Sequence, residues 1–241
     1  MSDRRVAVVT GANKGIGLEI ARQLAREGLT VHLGARDEAR GRAAAEKLRA
    51  DGLDVRPLRL DVTSDGSVAA AAAVLEAEEG RLDVLVNNAG IAIDDGPPSR
   101  VSGDALRRTY ETNVFGVVRV TQAFLPLLRR SAAGRIVNLS SGLGSLTLNS
   151  DPTSPFAAVK YLAYNSSKSA VNAITVQFAH ELRNTPIKVN AADPGYVATD
   201  MNRQQGVRSV EQGAATPVRL ALLPPDGPTG GYFNDDGPVP W

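Results

Sequence analysis

The chain has 241 residues, 43% of them hydrophobic and 22% charged, with a formal net charge of +1. That size suits one large α/β domain or two small ones, and the near-neutral balance gives no cation surplus for a polyanion, so nucleic acid is not an expected partner. There is no cysteine, and the only histidines are His32 and His180, so disulfides, thiol nucleophiles and zinc sites are not expected and no metal site is assigned. No apolar run reaches the roughly 20 residues of a membrane span, and Met1 to Arg5 lacks the core of a secretory signal, so the sequence reads as cytoplasmic and soluble, with no membrane partner.

Val6 to Thr10 is a β-branched run suited to a buried parallel strand. Gly11-Ala12-Asn13-Lys14-Gly15-Ile16-Gly17 leads from it into a helical pattern over Leu18 to Glu27, with Gly28 placed to end that helix. A strand, a glycine-rich turn and a helix N-terminus together make an anion site: amides point outward, the dipole is positive, and glycine admits a pyrophosphate to the backbone. The spacing G-x-x-x-G-x-G differs from the commoner dinucleotide fingerprint. A second strand, Leu29 to Gly34, ends at Ala35-Arg36-Asp37. An acid there suits a free ribose 2′-hydroxyl, an arginine a 2′-phosphate. Arg36 together with Lys14 favours NADP(H) over NAD(H), with Asp37 as the competing acid.

Further along, Asp37 to Ala50 is helical, Val55 to Leu60 a third strand ending in Asp61-Val62, and Ser64 to Glu79 an alanine-rich helix. Leu82 to Val86 is a fourth strand running into Asn87-Asn88-Ala89-Gly90. Ser99 to Arg130 is mostly helical, and Asn113 within it either faces solvent or has a specific polar role. Arg135 to Leu139 is a fifth strand closed by Ser140-Ser141-Gly142; a serine there faces the crevice where α/β folds bind ligands. Residues 142 to about 156 read as a loop, followed by a helix from Phe156 or Leu162 to Arg183. Ile187 to Ala191 is a sixth strand broken by Pro194-Gly195, Val210 to Leu223 a last helix, and Gly231 to Asn234 a short seventh strand. The alternation implies one doubly wound α/β domain over residues 1–241, with cofactor groups mainly in 1–135 and catalytic and substrate elements mainly in 136–241.

Tyr164-Asn165-Ser166-Ser167-Lys168 puts a phenol and an ammonium on one helix face, about 6 Å apart at Cβ. A nearby ammonium is expected to lower the phenol's pKa toward the working pH. Alone, the pair also fits an ordinary surface tyrosine beside a solvated lysine.

Taken in order, Thr10 to Gly17, Asp61, Asn87 to Gly90, Asn113, Ser141, Tyr164, Lys168 and Pro194-Gly195 resemble the short-chain dehydrogenase/reductase family over nearly the whole chain. The resemblance implies a Rossmann-type sheet of seven parallel strands with helices on both faces. It implies Gly11, Gly15 and Gly17 at the pyrophosphate, with Asn13, Lys14 and Ile16 in the same turn and Arg36 at the 2′-phosphate. Asp61 and Val62 are implied at adenine, and Asn87, Asn88, Ala89 and Gly90 along the cofactor. Pro194, Gly195, Val197 and Thr199 fall to the nicotinamide side. Asn113, Ser141, Tyr164 and Lys168 match the catalytic tetrad, with Tyr164 as proton donor, Lys168 binding the nicotinamide ribose and lowering the phenol pKa, Ser141 bonding the substrate oxygen and Asn113 holding a water. Tyr161, with Asn165 at i+4, and Ser140, on the opposite side of its strand, are excluded as the acid.

Asn13-Lys14, Ala35-Arg36-Asp37 and Pro240-Trp241 are similar to the carbonyl-reductase-like branch. This implies NADPH-dependent reduction of a ketone or aldehyde. The alternatives are oxidative alcohol dehydrogenation and cofactor sensing without turnover. Residues 142 to 163 between Ser141 and Tyr164 exceed the usual dozen or so, which by resemblance favours a monomer or homodimer over a tetramer. The short segment 200 to 209 suggests a small lid, an open site and tolerance for bulky carbonyls.

Overall fold

The structure, a computed structural model, describes residues 4–94 and 96–241. Eight strands form one sheet in the order β3-β2-β1-β4-β5-β6-β7-β8. They are β1 (Val6–Val9), β2 (Thr30–Ala35), β3 (Val55–Arg59), β4 (Val84–Asn87), β5 (Arg135–Leu139), β6 (Lys188–Ala192), β7 (Tyr232–Asn234) and β8 (Gly237–Pro238). The first seven are parallel, as expected; β8 is an antiparallel addition paired with β7. It arises because the chain reverses at Asp235-Asp236, where the Asn234 side chain accepts from the Asp236 amide at 2.9 Å and Gly237 takes φ +125°.

The strands alternate their side chains between two cores. Ala7, Val9, Val84 and Val86 pack on one face with α1 (Gly15–Arg26), α2 (Glu38–Ala50) and α8 (Val210–Ala221). Val6, Val8, Leu85 and Ile136 pack on the other with α3 (Asp65–Glu79) and α5 (Gly116–Leu128). This period of two on continuously buried strands explains why they read as unbroken apolar runs. Strand order reverses direction between β1 and β4, so the segments after those strands face one crevice at their carboxyl ends, where such folds bind ligands.

The long helical stretch around Asn113 is three pieces: α4 (Gly103–Tyr110), a π-helical turn (Glu111–Phe115) and α5. The expected loop after Ser141 is also more ordered than its sequence suggests. It holds a 3-10 turn (Gly142–Gly144) and the short α6 (Leu146–Ser150), whose N-cap Ser145 accepts from the Leu148 amide. The amide of Thr147 donates to the Trp241 carbonyl at 3.0 Å, and Trp241 stacks on Tyr232 with ring centroids 5.5 Å apart. The last long helix before β6 is α7 (Leu162–Glu181).

Candidate active site

Tyr164 and Lys168 lie one turn apart on α7, with the Lys168 Nζ 5.6 Å from the Tyr164 ring centroid. Lys168 is 5% exposed, and its Nζ donates to the Leu139 carbonyl at the end of β5 at 2.7 Å. Ser141, at the same strand end, shares a hydrogen bond with the Tyr164 phenol and accepts from the Leu143 amide at 3.3 Å. Gly144 sits so close to α7 that a Cβ there would stand 2.7 Å from the Lys168 Cβ, so this turn needs glycine to hold Ser141 against the tyrosine.

Asn113 is 1% exposed, which removes the solvent-facing alternative. Its Oδ1 accepts from the Ile91 amide at 2.8 Å, while its Nδ2 donates to the Ile91 carbonyl and to Ser167 Oγ at 2.9 and 3.0 Å. The π turn aims Asn113 inward so that it clamps the segment after β4 to α7. A Cβ on Gly90 would lie 3.4 Å from Asn113 Oδ1 and 3.6 Å from Lys168 Nζ. Ser140 is turned away, donating to Asn172 Oδ1 at 2.5 Å, and Tyr161 is half exposed at the start of α7.

The electrostatics correct one expectation. Burial pushes the Tyr164 phenol up to about 12; the Ser141 hydrogen bond pulls it down and the Asp193 carboxylate raises it further. Burial brings the Lys168 ammonium down to about 8, with Asp193 acting to raise it. Desolvation of the phenolate outweighs any help from Lys168, whose ammonium is directed at a backbone carbonyl. Tyr164 is therefore a protonated phenol throughout the neutral range.

The glycine turn after β1 has Gly11 and Gly15 at positive φ, +63° and +58°. Gly11 lies against Ala89, and a Cβ on Gly17 would stand 2.3 Å from Asn88 Nδ2. Asn88 braces this turn by donating to the Thr10 and Gly11 carbonyls at 2.8 and 3.2 Å, and Thr10 Oγ1 accepts from the Asn88 and Ala89 amides. Asn87, by contrast, is buried and bonds Thr121 and Asn138, locking the central sheet. No side chain among the described residues caps α1 at Lys14, so its first amides remain open to an anion. Asn13 stands half-buried in this turn, and Ile16 packs against the core.

Arg36 is exposed at the end of β2 and forms no hydrogen bond or ion pair with any described residue. Asp37, the competing acid, is committed elsewhere: it caps α2 by accepting from the Arg40 amide at 3.0 Å and pairs with the Arg40 side chain. Lys14 pairs with Asp200 at 2.7 Å across the mouth of the turn. Asp61 folds its own turn, accepting from the Thr63 amide and hydroxyl, and Val62 packs against Gly116 while its carbonyl accepts from Arg119. Past β6, Pro194 leads to Gly195 at φ +75°; Val197 is buried and bridges to Arg208, and Thr199 stands over Gly15.

Two acids near the tetrad have little or no local sequence signal. Asp94, in the segment after β4, accepts from the Ala163 and Tyr164 amides at 2.7 and 3.0 Å and so caps α7 from outside it. Asp193 is buried against the tetrad, and only its place before Pro194-Gly195 hints at it. The fold also gathers His32, Glu78 and Glu79, but Arg56 pairs with both glutamates there. A surface groove lined by Asp65, Phe115 and Arg119 contains no tetrad residue.

Residues 5–208 match the family model described as short chain dehydrogenase. The chain belongs to the short-chain dehydrogenase/reductase family and is an oxidoreductase of that class. Within it, the chain falls in the carbonyl-reductase-like branch. It is 42% identical to carbonyl reductase (NADPH) 3 of Rattus norvegicus, over 92% of each chain. It is 37% identical to (+)-neomenthol dehydrogenase of Arabidopsis thaliana, over 95% of this chain and 96% of the relative. The structure of NADPH-bound carbonyl reductase from chicken fatty liver superposes with a TM-score of 0.86 at 27% identity, over 99% of both chains.

Proposed function

We propose that this protein is an NADPH-dependent carbonyl reductase that converts a ketone or aldehyde to an alcohol. The observation that carries the reading is the meeting of Tyr164, Ser141, Lys168 and Asn113 beside a glycine turn whose helix N-terminus is uncapped. The residues fit a phosphorylated dinucleotide. Open amides at Gly15 to Gly17 suit the pyrophosphate, and Arg36 offers a guanidinium unpaired among the described residues, where Asp37 already caps α2. Asp61, Val62, Asn88, Ala89 and Gly90 would line the adenosine and ribose side, and Pro194, Gly195, Val197 and Thr199 the nicotinamide side. NADPH, when bound, supplies the hydride.

The chain's own work is to hold the carbonyl and deliver a proton. Ser141 bonds the substrate oxygen and stabilises the charge that develops there. Tyr164, protonated until about pH 12, donates to the same oxygen. Lys168, near balance between its charged and neutral forms around pH 8, is suited to return a proton to the phenol. Asn113 fixes Ile91 and Ser167 around Lys168, and a water held there would join the lysine to solvent.

Leu146, Tyr161, Tyr196 and Met201 are exposed on the two segments that flank the tetrad, which favours a medium-sized, largely apolar substrate over a charged one. We read the protein as cytoplasmic; no helix among the described residues is long and apolar enough to cross a membrane. We also read it as a monomer or homodimer, and a light-scattering mass of four chains would overturn this.

The test is NADPH oxidation followed by absorbance over a panel of aldehydes and ketones, with NADH and Tyr164→Phe as controls. Turnover with NADPH that vanishes in Tyr164→Phe is expected. A clear NADH preference would favour oxidation of an alcohol, and activity that survives loss of the hydroxyl would refute Tyr164 as the donor.

A further inference from the structure

Tyr164, Lys168 and Asn172 follow one another on α7 at intervals of four, the spacing that keeps side chains on one region of a helix surface. The tetrad chemistry uses the first two and leaves the third without a role. Asn172 is 4% exposed. A buried amide has to find partners for its oxygen and its nitrogen, so where its bonds go is informative. Its Oδ1 accepts from Ser140 Oγ at 2.5 Å, and its Nδ2 donates to the Gly144 carbonyl at 3.3 Å. Ser140 is the residue before Ser141, and Gly144 ends the 3-10 turn after it. One side chain thus grips the chain on both sides of Ser141 without touching the Ser141 hydroxyl.

Two neighbours on α7 reinforce this grip. Ser169 Oγ donates to the same Gly144 carbonyl at 2.8 Å, and Asn165 Nδ2 donates to Asn149 Oδ1 at 3.2 Å. Asn149 in turn donates to the Leu143 and Ser145 carbonyls, each at 2.9 Å. Asn165, Ser169 and Asn172 stand at i, i+4 and i+7, so α7 carries a polar stripe against the segment from Ser140 to Asn149. The approach is close: a Cβ on Gly144 would lie 2.7 Å from the Lys168 Cβ and 2.8 Å from its backbone carbon. Glycine lets the turn come down onto the helix, and the stripe decides where along the helix it sits.

We propose that Asn172 is a positioning residue for carbonyl reduction: by holding Ser140 and Gly144 on α7, it sets the place of the Ser141 hydroxyl relative to Tyr164 and Lys168. The proposal rests on the carbonyl-reductase reading above, in which Ser141 stabilises charge on the substrate oxygen. A donor aimed at developing charge loses much of its effect when it is displaced by about 1 Å. Because that charge is largest in the transition state, the loss falls on kcat rather than on KM.

Asn172→Ala removes both bonds. Ser169→Ala, which removes one of the two donors on the Gly144 carbonyl, is a milder second variant in case the first folds poorly. Each is also made in a Ser141→Ala background, where a residue that acts through the Ser141 hydroxyl has nothing left to position. The expected result is a kcat for NADPH-dependent reduction about tenfold lower in Asn172→Ala and about threefold lower in Ser169→Ala, with KM within about twofold. In the Ser141→Ala background the same changes should cost less than about twofold. Equal losses in both backgrounds would mean general damage to the fold and would overturn the proposal. Hydrogen exchange followed by mass spectrometry reads the turn without any turnover: amides from 142 to 149 should exchange faster in Asn172→Ala while β5 keeps its protection. Unchanged exchange over 142 to 149 would also overturn the proposal. Faster exchange there in a protein whose parent reduces no carbonyl would sink the reductase reading and leave the assignment of the turn standing.

Discussion

Asp94 offers a direct test of how the helix that carries Tyr164 and Lys168 is held. α7 starts without a cap of its own, since Tyr161 at its N-cap makes no side-chain bond. Instead both oxygens of Asp94 accept from the first turn, from Ala163 at 2.7 Å and Tyr164 at 3.0 Å. A carboxylate at a helix N-terminus also meets the positive end of the dipole. Loss of a helix cap costs about 0.5 to 2 kcal/mol, and two charge-assisted bonds place Asp94→Ala near the upper end, about 2 kcal/mol. At about 2 cal/mol/K of unfolding entropy per residue, a chain this long then melts about 4 °C lower. Asp94→Asn keeps one oxygen and should lose about half as much, roughly 1 kcal/mol. Because Tyr164 supplies one of the two amides, kcat should also fall, about tenfold, from misplacement of the phenol. NADPH affinity should hold, because the glycine turn lies elsewhere. Calorimetry, steady-state kinetics and a cofactor titration read the three quantities. An alanine variant that melts within a degree of the parent at undiminished kcat would refute the reasoning.

Arg36→Ala should weaken NADPH binding by at least tenfold while leaving NADH binding nearly unchanged, measured by fluorescence titration; equal losses would show that Arg36 does not meet the 2′-phosphate. Gly17→Ala would place a Cβ 2.3 Å from Asn88 Nδ2 and 2.8 Å from the Gly11 carbonyl, so it should cost about 1 to 3 kcal/mol of stability and most of the cofactor affinity. Lys168 has a folded value of about 8 against 10.5 ordinarily. The unfolded chain therefore binds the extra proton between those values, and stability should rise with pH from about 8 toward 10.5. Below pH 8 the buried ammonium costs about 3 kcal/mol. Lys168→Met should accordingly raise the urea midpoint at pH 7 and flatten the slope between pH 8 and 10; an unchanged slope would mean that another group carries it.

Most of the sheet was legible because parallel strands covered on both faces become short apolar runs, and Val6 to Val9 and Arg135 to Leu139 stand where those runs predict. The glycine turn was legible because its conformation permits few other residues. β8 escaped because two residues carry no periodicity, and α6 because its five residues owe their place to Ser145 and the Trp241 carbonyl. Within the site, Tyr164 and Lys168 announced themselves by helical spacing. Their pKa values did not, since spacing says nothing of burial. Asp94 acts across 69 residues of chain, and such a partnership leaves no local pattern.

The π turn at Glu111–Phe115 has a consequence for how this chain can change. A helix segment of that kind holds one residue more than an α-helix would over the same rise, and such segments gather at functional sites. Here the extra residue is what turns Asn113 toward Ile91 and Ser167. Deleting one residue of the turn other than Asn113 should restore an uninterrupted α-helix and swing the asparagine about 100° around the axis relative to the helix beyond the deletion. The direction of the Asn113 side chain is therefore set by the residue count between α4 and α5 rather than by any one side chain in the turn.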